Sequence, residues 1–334
     1  MPVRFGLAYD FRNPVQWRRP WAEVYRGIME QIVEAESMGF ESIWLTEHHF
    51  VQDGYTPAPV PLMAAIAMAT RKVRIGTDIL LLPFYNAVRL AEELATVDIL
   101  SAGRAMLGIG MGYRDEEYAA FGQTRSERLR RTTEGITVLR GAWGEGPFTF
   151  NGRHYQLDSV DVTPKPVQPG GLPLWLAAAS EPAARRAARL GMHLLPQGDR
   201  GAAYFPWVDE LQKLGRRPED FMIGMIKPCF VADSHSDPLW NEVSERERYR
   251  WSTYRPWIAK ANFAAPAAGE QQPIDQSWFV GSPAELVEKI GRFREYIPVT
   301  DFISWGCPPG MDPKAMLPRL ERFARDVMPQ LAQA

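Results

Sequence analysis

The chain has 334 residues, 46% hydrophobic and 23% charged, with a formal net charge of −2. That leaves room for one large α/β domain or two smaller ones, and gives no electrostatic case for nucleic acid or an anionic membrane. Two distant cysteines, Cys229 and Cys307, exclude a disulfide scaffold and fit a reducing cytoplasm.

The N-terminal Met-Pro-Val-Arg-Phe enters a strand-like run without the basic and apolar regions of a signal peptide. No stretch reaches the ~18 uncharged apolar residues that would mark a membrane span. From there, short apolar runs alternate with helical periodicity. Strands are predicted at Val3–Ala8, Ser42–Leu45, Val73–Leu80, Ala105–Gly110, Leu174–Ala177, Met192–Leu195, Phe221–Val231 and Thr300–Trp305. Helices are predicted at Trp21–Ser37, Pro59–Ala69, Ala87–Leu100, Ser126–Ala142, Pro182–Leu190, Tyr204–Leu214, Pro283–Tyr296 and Pro313–Met328. Gly39 and Gly191 supply helix stops, and Ser180 and Ser282 stand as N-caps just before first-turn prolines. Eight such units point to a TIM (β/α)8 barrel, with an open doubly wound sheet as the alternative.

Two segments break the rhythm. Residues 144–171 hold a hairpin pattern, Phe148 to Tyr155, with Asn151-Gly152 as a two-residue turn. Residues 233–282 are too long for an ordinary βα connection and carry Trp240, Trp251, Tyr254, Trp257 and Trp278, which predicts a partly helical lid after strand seven. Both read as insertions into one domain spanning 1–334.

The chemistry-bearing residues gather at predicted strand ends. Thr46-Glu47-His48-His49 follows Ile43-Trp44-Leu45, placing two imidazoles and a carboxylate where a buried strand emerges, suited to moving protons. Capping or core histidines would leave the same pattern. Gly108-Ile109-Gly110-Met111-Gly112 resembles a dinucleotide fingerprint but fails it, because Tyr113 and Asp115 stand where a third glycine is required. What survives is a small-residue strand end that a flat ligand or another backbone can approach. Ala178-Ala179-Ser180 opens a helix whose amides and dipole can hold a phosphate, and Arg128 heads another helix with a charge that could reach the same anion. Ser180 as a plain N-cap and Arg128 as a solvated charge explain them equally. The five histidines show no metal-ligand spacing, so no metal is expected. No Gly-x-Ser-x-Gly elbow marks a serine hydrolase.

Taken in order, Gly39-Phe40, Ile43-Trp44, Glu47-His48-His49-Phe50, Val73-Arg-Ile-Gly-Thr77, Leu82-Pro83, Leu100-Ser and Gly103-Arg104 resemble the bacterial luciferase-like flavin monooxygenases. The resemblance continues through Gly108-x-Gly-x-Gly112-Tyr113, Glu117-Tyr118, Phe121-Gly122, Arg128, Glu134, Pro164-Lys-Pro-x-Gln168 and Pro173-Leu-Trp175, and resumes weakly at Val280-Gly-Ser-Pro283. It implies a TIM barrel with both insertions and a flavin-dependent oxidoreductase, foremost a two-component monooxygenase using reduced FMN and dioxygen on an apolar or carbonyl-bearing substrate. Sister members use the deazaflavin coenzyme F-420 for hydride transfer, and others are non-catalytic flavin-binding barrels. His48 matches the catalytic histidine, with Glu47 and His49 as its candidate partners. Thr77, Asp78 and Ile79 match the strand under the flavin ring, where relatives often carry a non-prolyl cis bond between positions like Asp78 and Ile79. Gly110, Met111 and Gly112 border the ring, and Ala178, Ala179, Ser180 and Arg128 match the phosphate site. Met111 replaces a phosphate-contacting arginine of luciferase itself, which argues against bioluminescence. The resemblance also implies a separate flavin reductase and a homodimer paired through helices two and three.

Overall fold

In the computed structural model, residues 2–197, 200–234, 236–260 and 278–332 are described; His235 and residues 261–277 of the expected lid lie outside them. Eight parallel strands form the barrel: β1 (Arg4–Tyr9), β2 (Ser42–Leu45), β3 (Arg74–Thr77), β4 (Leu107–Gly110), β5 (Leu174–Ala178), β6 (His193–Pro196), β7 (Gly224–Ile226) and β8 (Asp301–Trp305). β7-β8-β1-β2-β3 pair continuously, as do β4-β5-β6, and single parallel bridges Ile75–Ala105 and Leu194–Ile223 join the two runs. Each strand therefore has a parallel neighbour on both sides, the closed ring expected from the sequence.

The ring is filled by side chains. Trp44 and Trp175 are fully buried and meet edge to face at 5.3 Å between centroids. Glycines make room for them: a Cβ on Gly76 would stand 3.1 Å from the Trp44 ring, and one on Gly224 would stand 3.2 Å from Trp175. Large residues on some strands thus face small ones on others, so the layers interdigitate. At the N-terminal rim Arg4 binds Asp301 through two hydrogen bonds, 2.7 and 3.1 Å, and Arg74 joins them.

The helices fall where the apolar periodicity puts them, with additions and several shifts. α1 (Trp21–Ser37), α2 (Pro59–Ala69) and α3 (Ala87–Ser101) match closely. Asn86 caps α3 by accepting from the amides of Val88 and Arg89. A short α4 (Asp115–Ala120) was not foreseen; its acidic first turn, Asp115-Glu116-Glu117, complements the helix dipole. After it come α5 (Arg128–Trp143), α6 (Glu181–Arg189) and α7 (Arg200–Lys213), the last starting earlier than expected. α9 (Pro283–Tyr296) opens with a Ser282–Glu285 capping box, and α10 (Pro313–Asp326) closes the ring.

Two predicted strands are each split. Val73–Leu80 resolves into β3 and a two-residue strand Leu80–Leu81 beside β4, with the Asp78–Ile79 peptide between them in the cis form. Phe221–Val231 resolves into β7 and Cys229–Val231, interrupted at Pro228, which has no N–H to donate. The hairpin insertion is present as antiparallel strands Phe148–Asn151 and Gln156–Val160, but the turn is four residues rather than Asn151-Gly152 alone, closed by Gly152 N–H donating to the Tyr155 carbonyl. The second insertion contributes α8 (Pro238–Lys260), which lies over the C-terminal mouth of the barrel. Among the described residues no helix is long and apolar enough to cross a membrane.

Candidate active site

β2 ends at Leu45, and the four residues beyond it turn into the barrel mouth, all buried. His48 is 5% exposed, and its Nδ1 lies 2.9 Å from Glu117 Oε1 on α4. The same oxygen accepts from the His49 amide at 3.0 Å and from Arg114 Nη1 at 3.0 Å. Burial pushes the Glu117 carboxyl up, but the hydrogen bond and charge of His48, the His49 amide and Arg114 outweigh it and hold the carboxyl below its usual value. An ionised Glu117 only accepts, so it fixes the His48 proton on Nδ1 and leaves Nε2 as an acceptor. The Tyr113 hydroxyl stands 3.2 Å from that Nε2; burial first, then the neighbouring charges, raises its pKa far above the phenol value, so it stays protonated and donates.

Four rings surround the imidazole: Tyr55 at 4.9 Å, Trp257 at 5.0 Å, Tyr113 at 5.4 Å and Tyr254 at 5.9 Å between centroids. Two of these come from α8, so the lid helix supplies one wall of the site. It is fastened by buried charges. Arg250 donates to Asp10, just past β1, at 2.6 Å and to Glu247 at 3.1 Å. Arg12 donates to Asp53 at 2.6 Å and to Thr253 of α8 at 2.9 Å. The Tyr55 and Tyr254 hydroxyls meet in a short hydrogen bond across the same seam.

Glu47, expected beside His48, is turned elsewhere. Its Oε1 accepts from His49 Nε2 at 2.8 Å and the Tyr85 hydroxyl at 2.9 Å, and its Oε2 accepts from the Leu81 amide at 2.7 Å. It braces the segment after β3 instead of pairing with His48. Thr77 Oγ1 donates to the Gly108 carbonyl at 2.7 Å and accepts from the Gly108 amide at 3.1 Å, locking the end of β3 to β4. Asp78 accepts from Gln197 at 3.1 Å. Ile79 lies over Gly110, where an added Cβ would come within 1.7 Å of the isoleucine Cδ1. The glycine at position 110 is therefore demanded by close approach, and Gly112 by its φ of +72°.

At the end of β5, Ala178 is buried and Ser180 is the exposed N-cap of α6. The Ser180 side chain makes no cap hydrogen bond, and Pro182 has no N–H. The hydroxyl and first-turn amides there fit a phosphate group. Arg186 of α6 lines a small cavity with Gly110, Met111, Thr132 and Thr133. Arg128 heads α5 and donates to the Arg125 carbonyl at 3.4 Å, close to Tyr118; no hydrogen bond joins it to Ser180 among the described residues. Tyr118 donates to the Met111 carbonyl, fixing the loop after β4.

The residues that sequence reasoning did not assign are Glu117, Arg114, Tyr55, Arg12 and Arg250. Glu117 stood within a matched motif, but nothing in Asp115-Glu116-Glu117 singles out the acid that turns inward. Among the described residues no group of three or more His, Cys, Asp or Glu is placed to hold a metal ion.

A family model described as luciferase-like monooxygenase matches residues 3–299. An F-420-dependent glucose-6-phosphate dehydrogenase of Kineococcus radiotolerans is 34% identical over 90% of this chain and 91% of its own. The oxygenase component of the flavin-dependent trigonelline monooxygenase of Acinetobacter baylyi is 25% identical over 99% and 96%. An uncharacterized protein, y4vJ, of Sinorhizobium fredii is 34% identical over 65% of this chain, which spans 63% of that relative. Among solved structures, the monooxygenase RslO1 of Streptomyces bottropensis superposes with a TM-score of 0.84 over 98% and 99% of the two chains at 22% identity, a likeness of fold. The family model and the relatives place the chain in the luciferase-like family of flavin- or F-420-dependent oxidoreductases.

Proposed function

We propose that this protein is the oxygenase component of a two-component monooxygenase that uses reduced FMN and dioxygen on a small organic substrate. The observation that carries the reading is the His48–Glu117 pair: an imidazole of fixed tautomer, buried at the barrel mouth beneath an aromatic lid. Reduced FMN, when bound, supplies the electrons and the oxygen chemistry. Thr77, Asp78, Ile79, Gly110, Met111 and Gly112 would border its ring, and Ala178, Ala179 and Ser180 its phosphate, with Arg128 contributing charge at longer range. His48 Nε2 takes or returns a proton at the reacting edge, while Glu117 keeps the proton on Nδ1 and stabilises the imidazolium formed in passing. Tyr55, Tyr113, Tyr254 and Trp257 exclude water from the site and enclose the apolar body of the substrate. Reduced flavin would come from a separate reductase. The subunits would pair through α2 and α3, whose outer faces carry exposed Met68, Ile99 and Leu100. We place the protein in the cytoplasm, which suits its two unpaired buried cysteines.

A second reading, hydride transfer with coenzyme F-420, is favoured by the identity with the glucose-6-phosphate dehydrogenase. Equilibrium titration with FMN, reduced FMN and F-420 separates the two. The oxygenase reading expects tighter binding of reduced FMN and substrate-dependent oxygen uptake. Binding of F-420 alone, with no uptake, would replace it with the second.

A further inference from the structure

Arg114 follows β4 and is 9% exposed. Its guanidinium makes two protein hydrogen bonds, both through Nη1: to the His49 carbonyl at 2.5 Å and to Glu117 at 3.0 Å. Nε is buried with no hydrogen-bond partner among the described residues, and Nη2 donates to none of them. Nε and Nη2 form the side-on fork of an arginine, the edge whose two parallel N–H bonds match the two oxygens of a carboxylate. The Cζ of the same guanidinium lies over the Trp257 ring, 4.2 Å from its centroid, which orients the group. Trp257 also packs on His48, so the spare fork and the imidazole share one aromatic wall.

Burying the Nε–H without an acceptor is costly, and Nη2 beside it, which is not fully buried, leaves the edge open to a ligand that would complete both. Arg19, Arg125 and Arg246 also bury an unpaired Nε, but without the packing on a ring that touches His48 that marks Arg114, while Arg4 uses the whole fork, binding Asp301 through Nε and Nη2. Arg114 does the reverse: it spends one nitrogen on the scaffold and turns the fork away from Glu117.

Building on the oxidoreductase reading, we infer that Arg114 selects the substrate: the free Nε/Nη2 edge receives a carboxylate of an organic acid whose apolar, preferably cyclic, body lies among Tyr55, Tyr113, Tyr254 and Trp257. A carboxylate bound there holds the substrate against the wall that carries His48, and leaves Glu117 on the opposite side of the same guanidinium. The alternative occupant of the fork is a phosphate, such as the cofactor's own.

The test uses the full-length protein and three probes by isothermal titration: benzoate, its neutral near-isostere benzamide, and inorganic phosphate. Benzoate is expected to bind at least tenfold tighter than benzamide. R114M should reduce benzoate to the benzamide level while leaving benzamide unchanged, and R114K, which keeps the charge but loses the fork, should recover only part of the difference. Equal affinity for the two aromatics, no benzoate binding, or a preference that survives R114M overturns the inference. Phosphate that displaces benzoate and depends equally on Arg114 gives the fork to the cofactor and overturns it as well. If R114M does not fold, R114K and the wild-type comparison decide. Flavin and F-420 binding measured on the same preparation keeps the two questions apart: carboxylate selectivity without cofactor binding sinks the oxidoreductase reading and leaves the carboxylate site standing.

Discussion

At the scale of single residues, the site is a set of donors and acceptors with few permutations. Glu117 Oε1 serves three donors at once, so replacing it by glutamine removes the charge and forces one amide to do the work of a carboxylate. The Glu117→Gln variant is expected to lower kcat by about 10²–10⁴-fold, the range seen when a histidine loses its acid–base role or its fixed tautomer, with cofactor affinity unchanged. Stopped-flow turnover beside flavin titration checks this. A fall in affinity with kcat intact would make Glu117 a packing residue. His48 was legible in the sequence because its motif is contiguous and sits at a strand end. Glu117 was not, because pairing across 69 residues depends on how α4 is set on the barrel rim. Glu47 shows the converse: adjacency to His48 in sequence points the two side chains apart.

Among the elements, α8 carries the argument. Its contact with the barrel mouth is unusual in being polar and buried: Asp10, Arg12, Asp53, Glu247 and Arg250 are each at most 2% exposed. Burial raises the Glu247 carboxyl to about 7, opposed chiefly by Arg250, with Asp10 pushing up and Arg12 down. Asp10 is likewise raised by burial against Arg250 and Arg12. A folded-state value above the unfolded one means that the folded chain holds the proton more tightly. The stabilisation is therefore complete below the unfolded value near 4.5 and is lost as pH rises through about 7, on the order of 3 kcal/mol for Glu247. Urea midpoints at pH 5 and pH 8 should differ in the wild type and differ less in Glu247→Gln; parallel profiles would remove Glu247 from the linkage. The strands and most helices could be read from periodicity and punctuation. The cis bond at Asp78–Ile79 was implied by the resemblance, whereas the break at Pro228 was passed over although a proline, with no N–H for the ladder, marks one in the sequence. The aromatic content of 233–282 announced a lid, but an ion pair and a hydrogen bond with the loop after β1, some 240 residues away, leave no local trace.

For the molecule as a whole, the closed ring determines what can touch it. With every barrel strand paired on both sides, a partner cannot add a strand to the barrel itself. The α2 and α3 surface, with Met68 59% exposed beside Ile99 and Leu100, is the expected contact. Sedimentation at micromolar concentration should show a dimer that M68E shifts toward monomer; a wild-type monomer would remove the pairing. Fold class was legible because eight repeats of one pattern admit few arrangements, whereas the choice of cofactor depends on a handful of side chains around a common scaffold. The two indoles that cross inside the barrel carry a last implication. They plug the cylinder, so nothing threads it from end to end, and any guest of the mouth must enter and leave on the side that α8 overhangs.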